Sequence, residues 1–104
     1  MDKDRESAHP IAGTEDAQIV YRRSNARPVE YAILLQVRRA KGWETRIVAG
    51  NSHADRHVDE HHWHRYLDGK KQPAEPLPFR VANTNDAMAK VIDWLAENWT
   101  ELTS

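Results

Sequence analysis

The segment 29–39, with the sequence VEYAILLQVRR, constrains the fold of this chain more than any other stretch. Its large apolar side chains occupy every second position, namely Val29, Tyr31, Ile33, Leu35 and Val37. Successive side chains of a β-strand point to opposite faces, so the pattern predicts a strand with five large apolar groups on one face of a sheet. Another part of the chain must therefore form a layer that covers this face.

Two further segments have the composition of strands. Residues 17–23, AQIVYRR, are rich in isoleucine, valine and tyrosine and predict a first strand. A turn at Lys41 and Gly42 leads into 43–49, WETRIVA, which predicts a third strand. Strict alternation places Trp43, Thr45 and Ile47 on one side of it and Glu44, Arg46 and Val48 on the other. The three strands together predict an antiparallel meander.

The C-terminal segment has the periodicity of an amphipathic helix. It begins after capping candidates at 83–85, with Asp86 in the first turn, where the helix dipole favours an anion. Apolar side chains recur at helical spacing, namely Met88, Val91, Ile92, Leu95 and Trp99. We expect this helix to cover the apolar sheet face, with Trp94 and Trp99 in the core. The predicted fold is α+β, a three- or four-stranded antiparallel β-sheet covered on one face by a C-terminal α-helix.

The N-terminal residues show no such pattern. Residues 1–16 are polar and acidic, so we predict a disordered, flexible N-terminal arm followed by a single α+β domain over 17–104. No apolar stretch approaches the ~18 residues of a membrane span, and the charged start lacks the apolar region of a signal peptide. We therefore expect a cytoplasmic protein without a membrane partner. The chain has no cysteine, so a metal would have to be held by histidine and carboxylate side chains alone.

The formal net charge of -1 conceals a basic middle segment. Residues 21–50 hold seven basic and two acidic side chains. Four of these cations are candidates for nucleic-acid binding, namely Arg38, Arg39, Lys41 and Arg46. Trp43 and Trp63 would stack on bases if they are exposed beside these cations. The alternative is that the cations are solvent-facing strand residues and that both tryptophans are buried.

Five of the six histidines fall within residues 53–64. The run HVDEH matches the H-x-x-E-H signature of zinc peptidases, with His57 and His61 one helical turn apart. A chain of 104 residues is too short for a peptide cleft and a distant third ligand, so this interpretation is rejected. The dipeptide Asp68-Gly69 favours a type I′ hairpin, which needs a strand before it. Residues 60–67 are therefore predicted to form a strand.

A strand at this position places His62 and His64 on one face, and three interpretations remain open. The two imidazoles can act as acid and base on a phosphodiester, with Arg65 or Arg46 stabilising charge and Tyr66 positioning the substrate, without any cofactor. Alternatively, the cluster holds zinc, with His62 and His64 as an H-x-H pair of ligands and Asp59, His57 or His53 as a third. His57 and His61 are further candidate ligands. In the third interpretation the histidines are polar strand residues at an interface with another protein.

Three motifs follow one another in the C-terminal half of the chain. They are the H-x-H pair at 62–64, the proline-rich run Glu75-Pro76-Leu77-Pro78-Phe79, and a closing amphipathic helix that contains Asp93-Trp94-Leu95. Over roughly residues 29–100 this order resembles the TumE-type small proteins of bacterial toxin-antitoxin pairs. The resemblance implies a small cytoplasmic toxin that is neutralised by a separate antitoxin, with His62 and His64 as candidate functional residues.

The sequence thus predicts a small toxin-like protein that acts on RNA through its histidine-rich strand, as a metal-independent, ribonuclease-like enzyme. The alternative is a non-catalytic protein-protein interaction module, such as an antitoxin, immunity or inhibitor protein. A third hypothesis is a metal-binding domain with histidine ligands. The expected partners are a cognate protein and RNA, and a homodimer is a further possibility.

Overall fold

The computed structural model of the chain describes residues 5–24, 30–51 and 61–104. Within these ranges the chain forms seven strands and one helix: β1 (Arg5–Pro10), β2 (Ala17–Ser24), β3 (Glu30–Arg39), β4 (Gly42–Gly50), β5 (His62–Leu67), β6 (Lys70–Lys71), β7 (Glu75–Pro76) and α1 (Thr84–Leu102). The first five strands pair antiparallel in chain order, and β6 and β7 both pair with β5. The predicted antiparallel meander and its closing helix are therefore confirmed.

The sheet is larger than the three or four strands that the sequence predicts. Residues 5–10, which we assigned to a disordered arm, form β1 and pair with β2 along their whole length. The next residue, Ile11, is buried, and its backbone N–H donates to the carbonyl oxygen of Ala17. An edge strand is held by backbone hydrogen bonds and needs no apolar alternation, so the polar sequence of β1 did not predict it.

The hydrophobic core lies on the face of the sheet that α1 covers, which we call the helix face. The sheet contributes the buried residues Ala17, Ile19, Tyr31, Ile33, Leu35, Ile47, Ala49 and Trp63, and α1 contributes Ala87, Met88, Val91 and Leu95. Trp94 and Trp99 are partly buried against this core, as predicted. We call the opposite side of the sheet the second face. Among the described residues, no helix has both the length and the apolarity that a membrane span requires.

A capping arrangement fixes the start of α1. The side chain of Asn83 accepts a hydrogen bond from the backbone N–H of Asp86 at 2.9 Å. In return, the Asp86 carboxylate accepts from the backbone N–H of Ala82 at 2.8 Å and lies 3.1 Å from the Lys90 ammonium. The bond from Ala82 and the contact with Lys90 lower the pKa of Asp86. The capping candidates in the sequence therefore predict the helix start correctly.

The hairpin after β5 forms as predicted. Asp68 has a φ of 52° and Gly69 a φ of 76°, and a type I′ turn requires positive values at both central positions. Because the turn has two residues, Tyr66 pairs with Lys71 across it. Antiparallel pairing brings this turn and the turn between β3 and β4 to the same end of the sheet, which we call the turn end.

The proline-rich segment after β6 returns to the edge of the sheet. The short strand β7 pairs with the first two residues of β5, His62 and Trp63. The indole N–H of Trp63 donates to the carbonyl oxygen of Pro76 at 3.1 Å. Proline has no backbone N–H to offer a further strand, so an edge position suits it.

A β-bulge in β4 changes which side chains share a face. The pairing of β3 with β4 shifts by one residue between Thr45 and Ile47. Leu35 pairs with Ile47 and Gln36 with Thr45, which leaves Arg46 as the extra residue. Gln36 lies on the second face, and its side-chain N–H donates to the Thr45 hydroxyl at 3.1 Å. The predicted alternation of β4 is therefore wrong. Ile47 faces the helix, whereas Thr45 and Trp43 lie on the second face.

Candidate functional site

Strand β5 presents its histidine pair on one face and its core residue on the other. His62 and His64 pair with Gly50 and Val48 and point to the second face, whereas Trp63 pairs with the buried Ala49 on the helix face. Since successive side chains alternate, the burial of Trp63 fixes the side on which His64 lies. The predicted parity of the histidine strand is confirmed.

The two imidazoles lie side by side. Their ring centroids are 5.1 Å apart and their planes are nearly perpendicular, at 89°. His62 is buried, with 5% of its surface exposed, and His64 is half-buried. The Nδ1 atom of His64 lies 2.8 Å from the backbone carbonyl oxygen of Gln72. A carbonyl oxygen only accepts, so Nδ1 carries the proton and the neutral His64 ring has its lone pair on Nε2.

The environment of His64 favours the neutral ring. Burial lowers the pKa of His64 from its ordinary value of 6.5, and the hydrogen bond to Gln72 partly opposes this shift. The nearby Lys71 ammonium and the His62 ring lower the pKa further. His64 therefore has the protonation state and the fixed tautomer of a proton acceptor near neutral pH.

The lowered pKa makes stability depend on pH in a defined direction. Because the folded state disfavours protonated His64, its contribution to stability is complete above the ordinary pKa of 6.5 and is lost as the pH falls below that value. We expect the free energy of unfolding to decrease between about pH 8 and about pH 5.5. The decrease should be smaller in the His64→Gln variant, as measured by urea denaturation at both pH values. An equal decrease in the variant and the wild type would contradict this assignment.

The other two predicted catalytic residues of β5 lie on opposite faces. Tyr66 is half-buried on the second face, with His64 two residues before it. Arg65 lies on the helix face, where its guanidinium is 5.0 Å from the Trp63 ring centroid and donates to the carbonyl oxygen of Leu102 at 3.2 Å. It also lies 4.0 Å from the Glu75 carboxylate. Arg65 thus links the C-terminal end of α1 to the sheet. It does not lie beside the histidine pair.

The four predicted nucleic-acid-binding cations are divided in the same way. Arg38 is exposed on the second face, and its guanidinium lies 5.6 Å from the ring centroid of Trp43, which is 42% exposed. Arg39 lies on the helix side, where it forms a 2.8 Å ion pair with Glu44. Lys41 is in the turn between β3 and β4. Arg46 is the bulge residue, and alternation from Val48 places it on the second face.

Six side chains therefore share the second face near the turn end, and we call them the turn-end surface: Arg38, Trp43, Arg46, His64, Tyr66 and Lys71. Within the described ranges, no carboxylate forms an ion pair with Arg38, Arg46 or Lys71. Lys71 is not among the site residues that the sequence predicts. The Asp68-Gly69 turn was the signal for it, because a two-residue turn sets Lys71 opposite Tyr66.

The structure describes three of the candidate zinc ligands, His61, His62 and His64, but not His53 or Asp59. The ring of His61 stacks on Tyr31 with centroids 5.7 Å apart, and its Nδ1 atom is 2.9 Å from the Tyr31 hydroxyl. His57 lies outside the described residues. Among those that are described, no group of three or more histidine, aspartate or glutamate side chains is arranged to hold a metal ion.

Comparison with known proteins adds no further evidence on the site. No family model matches the chain, and neither a curated protein nor a solved structure is significantly similar to it.

Proposed function

We propose that this protein binds single-stranded RNA on the turn-end surface. The observation that carries the proposal is the contact between Arg38 and the exposed Trp43, on the same face as His64, Tyr66 and Lys71. An exposed indole next to a guanidinium is a stacking platform for an unpaired base. Proteins that bind single strands combine such platforms with cations that follow the phosphate backbone.

The charge of the surface supports the same proposal. Arg38, Arg46 and Lys71 lie on one face without an ion-pair partner among the described carboxylates. By contrast, the neighbouring Arg39 and Arg65 are each placed beside a glutamate on the helix side. The cations of the second face therefore remain available to phosphates, which supply most of the affinity in nucleic-acid binding.

A single strand fits this surface better than a duplex. Side chains of a flat sheet reach bases only when those bases are unstacked, and the deep, narrow major groove of an RNA duplex does not admit them. Trp43 and Tyr66 lie on different strands of the same face, so a chain of nucleotides that crosses β4 and β5 would meet both rings.

Binding is tested by fluorescence anisotropy with a labelled single-stranded RNA of about ten nucleotides, a length of the order that one small binding fold covers. Loss of a stacking ring costs roughly 1–3 kcal/mol, so we expect Trp43→Ala to raise Kd about fivefold or more. Arg38→Ala should weaken binding and reduce the salt dependence by about one ion. Arg39→Ala is the matched control, because the adjacent arginine points to the other face, and its Kd should stay within about twofold of the wild type.

Two results would contradict the proposal. Equal losses in Arg38→Ala and Arg39→Ala would mean that binding follows overall charge and not the turn-end surface. A wild-type Kd weaker than about 10⁻⁴ M at low salt would mean that RNA is not a ligand, since even non-specific binding reaches that value. The non-catalytic interaction module would then be the better hypothesis, with the same surface contacting a protein.

The resemblance to TumE-type proteins supports the further proposal that this protein is a toxin in the cell. A toxin that acts on RNA would arrest growth when it is expressed alone, and a cognate antitoxin would relieve the arrest. The double variant His62→Ala/His64→Ala should permit normal growth, provided that it accumulates in folded form. If the wild type is harmless and leaves cellular RNA intact, the toxin hypothesis is wrong.

A further inference from the structure

We infer that the turn-end surface also cleaves the RNA that it binds, without a metal ion, by attack of a ribose 2′-hydroxyl on the adjacent phosphorus. In this reaction Nε2 of His64 is the general base and the Tyr66 hydroxyl is the general acid. The inference rests on the proposed function, because the strand must first lie across this face.

The orientation of His64 is fixed by the backbone around it. Gln72, whose carbonyl oxygen holds Nδ1, is itself held by a 2.8 Å hydrogen bond from its backbone N–H to the carbonyl oxygen of Arg65. Its side-chain amide donates to the carbonyl oxygen of Lys70 at 3.0 Å. A base whose second nitrogen is held by an acceptor has a defined tautomer and a defined direction of attack, as catalytic histidines require.

The spacing of His64 and Tyr66 suits an in-line displacement. The two residues are separated by one position on the same strand face, so their Cα atoms are about 6.6 Å apart. The attacking and leaving oxygens lie on opposite sides of the phosphorus, and two groups at this separation can flank a phosphate. Lys71, which pairs with Tyr66, and Arg46 on β4 lie on the same face and can stabilise the developing negative charge.

The proposed step balances without a co-reactant. The O–H bond of the 2′-hydroxyl breaks and its proton moves to Nε2 of His64, while the 2′-oxygen forms a bond to phosphorus. The bond from phosphorus to the 5′-oxygen breaks, and that oxygen takes the proton of the Tyr66 hydroxyl. The products are a 2′,3′-cyclic phosphate and a free 5′-hydroxyl. Exchange with water then removes the proton from His64 and restores the one on Tyr66.

His62 has a different role from the acid or base that the sequence predicts for it. Only 5% of its surface is exposed, so it does not meet a polymer strand, but its ring and that of His64 pack edge-to-face with centroids 5.1 Å apart. His62 is therefore a positioning residue. The group that donates the second proton is instead Tyr66, which is half-buried on the same face.

Cleavage is tested with a 5′-labelled single-stranded RNA and excess protein in the presence of EDTA, with products resolved on a denaturing gel. The wild type should produce fragments that end in a 2′,3′-cyclic phosphate. His64→Gln should reduce the single-turnover rate by about 10²–10⁴-fold, and Tyr66→Phe should reduce it by a similar factor. His9→Gln, a histidine change on the exposed edge strand β1, is the control and should cleave at the wild-type rate.

Two further readouts separate chemistry from folding. RNA with 2′-O-methyl groups should bind the wild-type protein with unchanged affinity and remain intact, a result that does not depend on any variant. The rate of the wild type should decrease at low pH with a midpoint below 6.5, because the base must be neutral. Tyr66→Phe should retain this decrease of the cleavage rate at low pH, and its cleavage rate should fall without a matching loss of RNA affinity. If Tyr66 had only a structural role, the cleavage rate and the RNA affinity would fall together.

Each failure has a distinct meaning. RNA that binds but stays intact would overturn the cleavage inference and leave the proposed function standing. Cleavage that EDTA abolishes, or that 2′-O-methyl RNA also undergoes, would overturn it as well. Absence of binding would refute the proposed function, and this inference with it.

Discussion

Replacement of Trp63 by alanine is expected to lower the free energy of unfolding by about 3–5 kcal/mol, a large part of the roughly 5–15 kcal/mol that stabilises a typical domain. Trp63 is 7% exposed and packs edge-to-face on Trp94, with ring centroids 5.2 Å apart. Its indole N–H also holds Pro76, and its ring lies under the Arg65 guanidinium. The substitution therefore removes three contacts at once: the packing on Trp94 in the core, the hydrogen bond to Pro76 in the edge strand, and the contact with Arg65, which is bonded to the end of α1.

The loss is measured by urea denaturation followed by far-ultraviolet circular dichroism, since a tryptophan is being removed. Trp63→Phe is the matched control. It keeps an aromatic ring in the core and loses the hydrogen bond to Pro76, so it should cost clearly less, about 1–2 kcal/mol. If Trp63→Ala loses less than about 1 kcal/mol, Trp63 is not a core residue, and the assignment of the two faces of β5 is wrong.

Gly50→Ala is expected to destabilise the sheet by about 3 kcal/mol, the upper end of the range for overpacking. A Cβ atom at Gly50 would lie closer than 3.0 Å to the carbonyl oxygen of Tyr31 and 3.4 Å from the Cα atom of Ala32. Both atoms belong to the backbone of β3, the strand that pairs with β4. Relief of this steric overlap therefore requires that the β3 backbone moves, because no flexible side chain is available to give way.

Urea denaturation measures this loss, and amide NMR signals locate it. The signals of Tyr31 and Ala32 should shift in Gly50→Ala, while those of α1 should change little. The Tyr31 ring contacts His61, so the His61 ring signals should shift as well. Wild-type stability in this variant would contradict the close approach of β3 and β4 at Gly50.

The sequence predicts those parts of the fold that depend on strong periodicity. The alternation from Tyr31 to Leu35 and the helical spacing from Met88 to Trp99 each produce one apolar face, and these two faces form the core. Val29, which the same alternation places on this face, lies outside the described residues. The Asp68-Gly69 turn depends only on its own two residues, because Asp-Gly is a dipeptide that readily adopts positive φ at both positions. The sequence therefore predicts it without knowledge of the rest of the fold. The face of His64 followed from the same turn.

The remaining features depend on contacts between distant segments. Strand β1 is polar and is recognised only by its pairing with β2. The bulge at Arg46 is a property of two strands in register, so alternation within β4 alone placed Trp43 on the wrong side. Arg65 was predicted to stabilise charge at the histidine pair, but alternation along β5 places it on the helix face, where it contacts the carbonyl oxygen of Leu102 and the Glu75 carboxylate. The candidate site was thus predicted in part, with Trp43 on the wrong face and without the bulge and Lys71.

The proposed binding of RNA to the second face at the turn end is tested most directly by the NMR signals of the tryptophan indole N–H groups. Of the four tryptophans, Trp43 is exposed on the second face, while Trp63, Trp94 and Trp99 pack on the helix side. In a ¹⁵N-labelled sample titrated with single-stranded RNA, we predict that the Trp43 indole signal, assigned by its absence in Trp43→Phe, shifts while the other three stay in place. A shift of the other three with Trp43 unchanged would contradict the proposed binding surface.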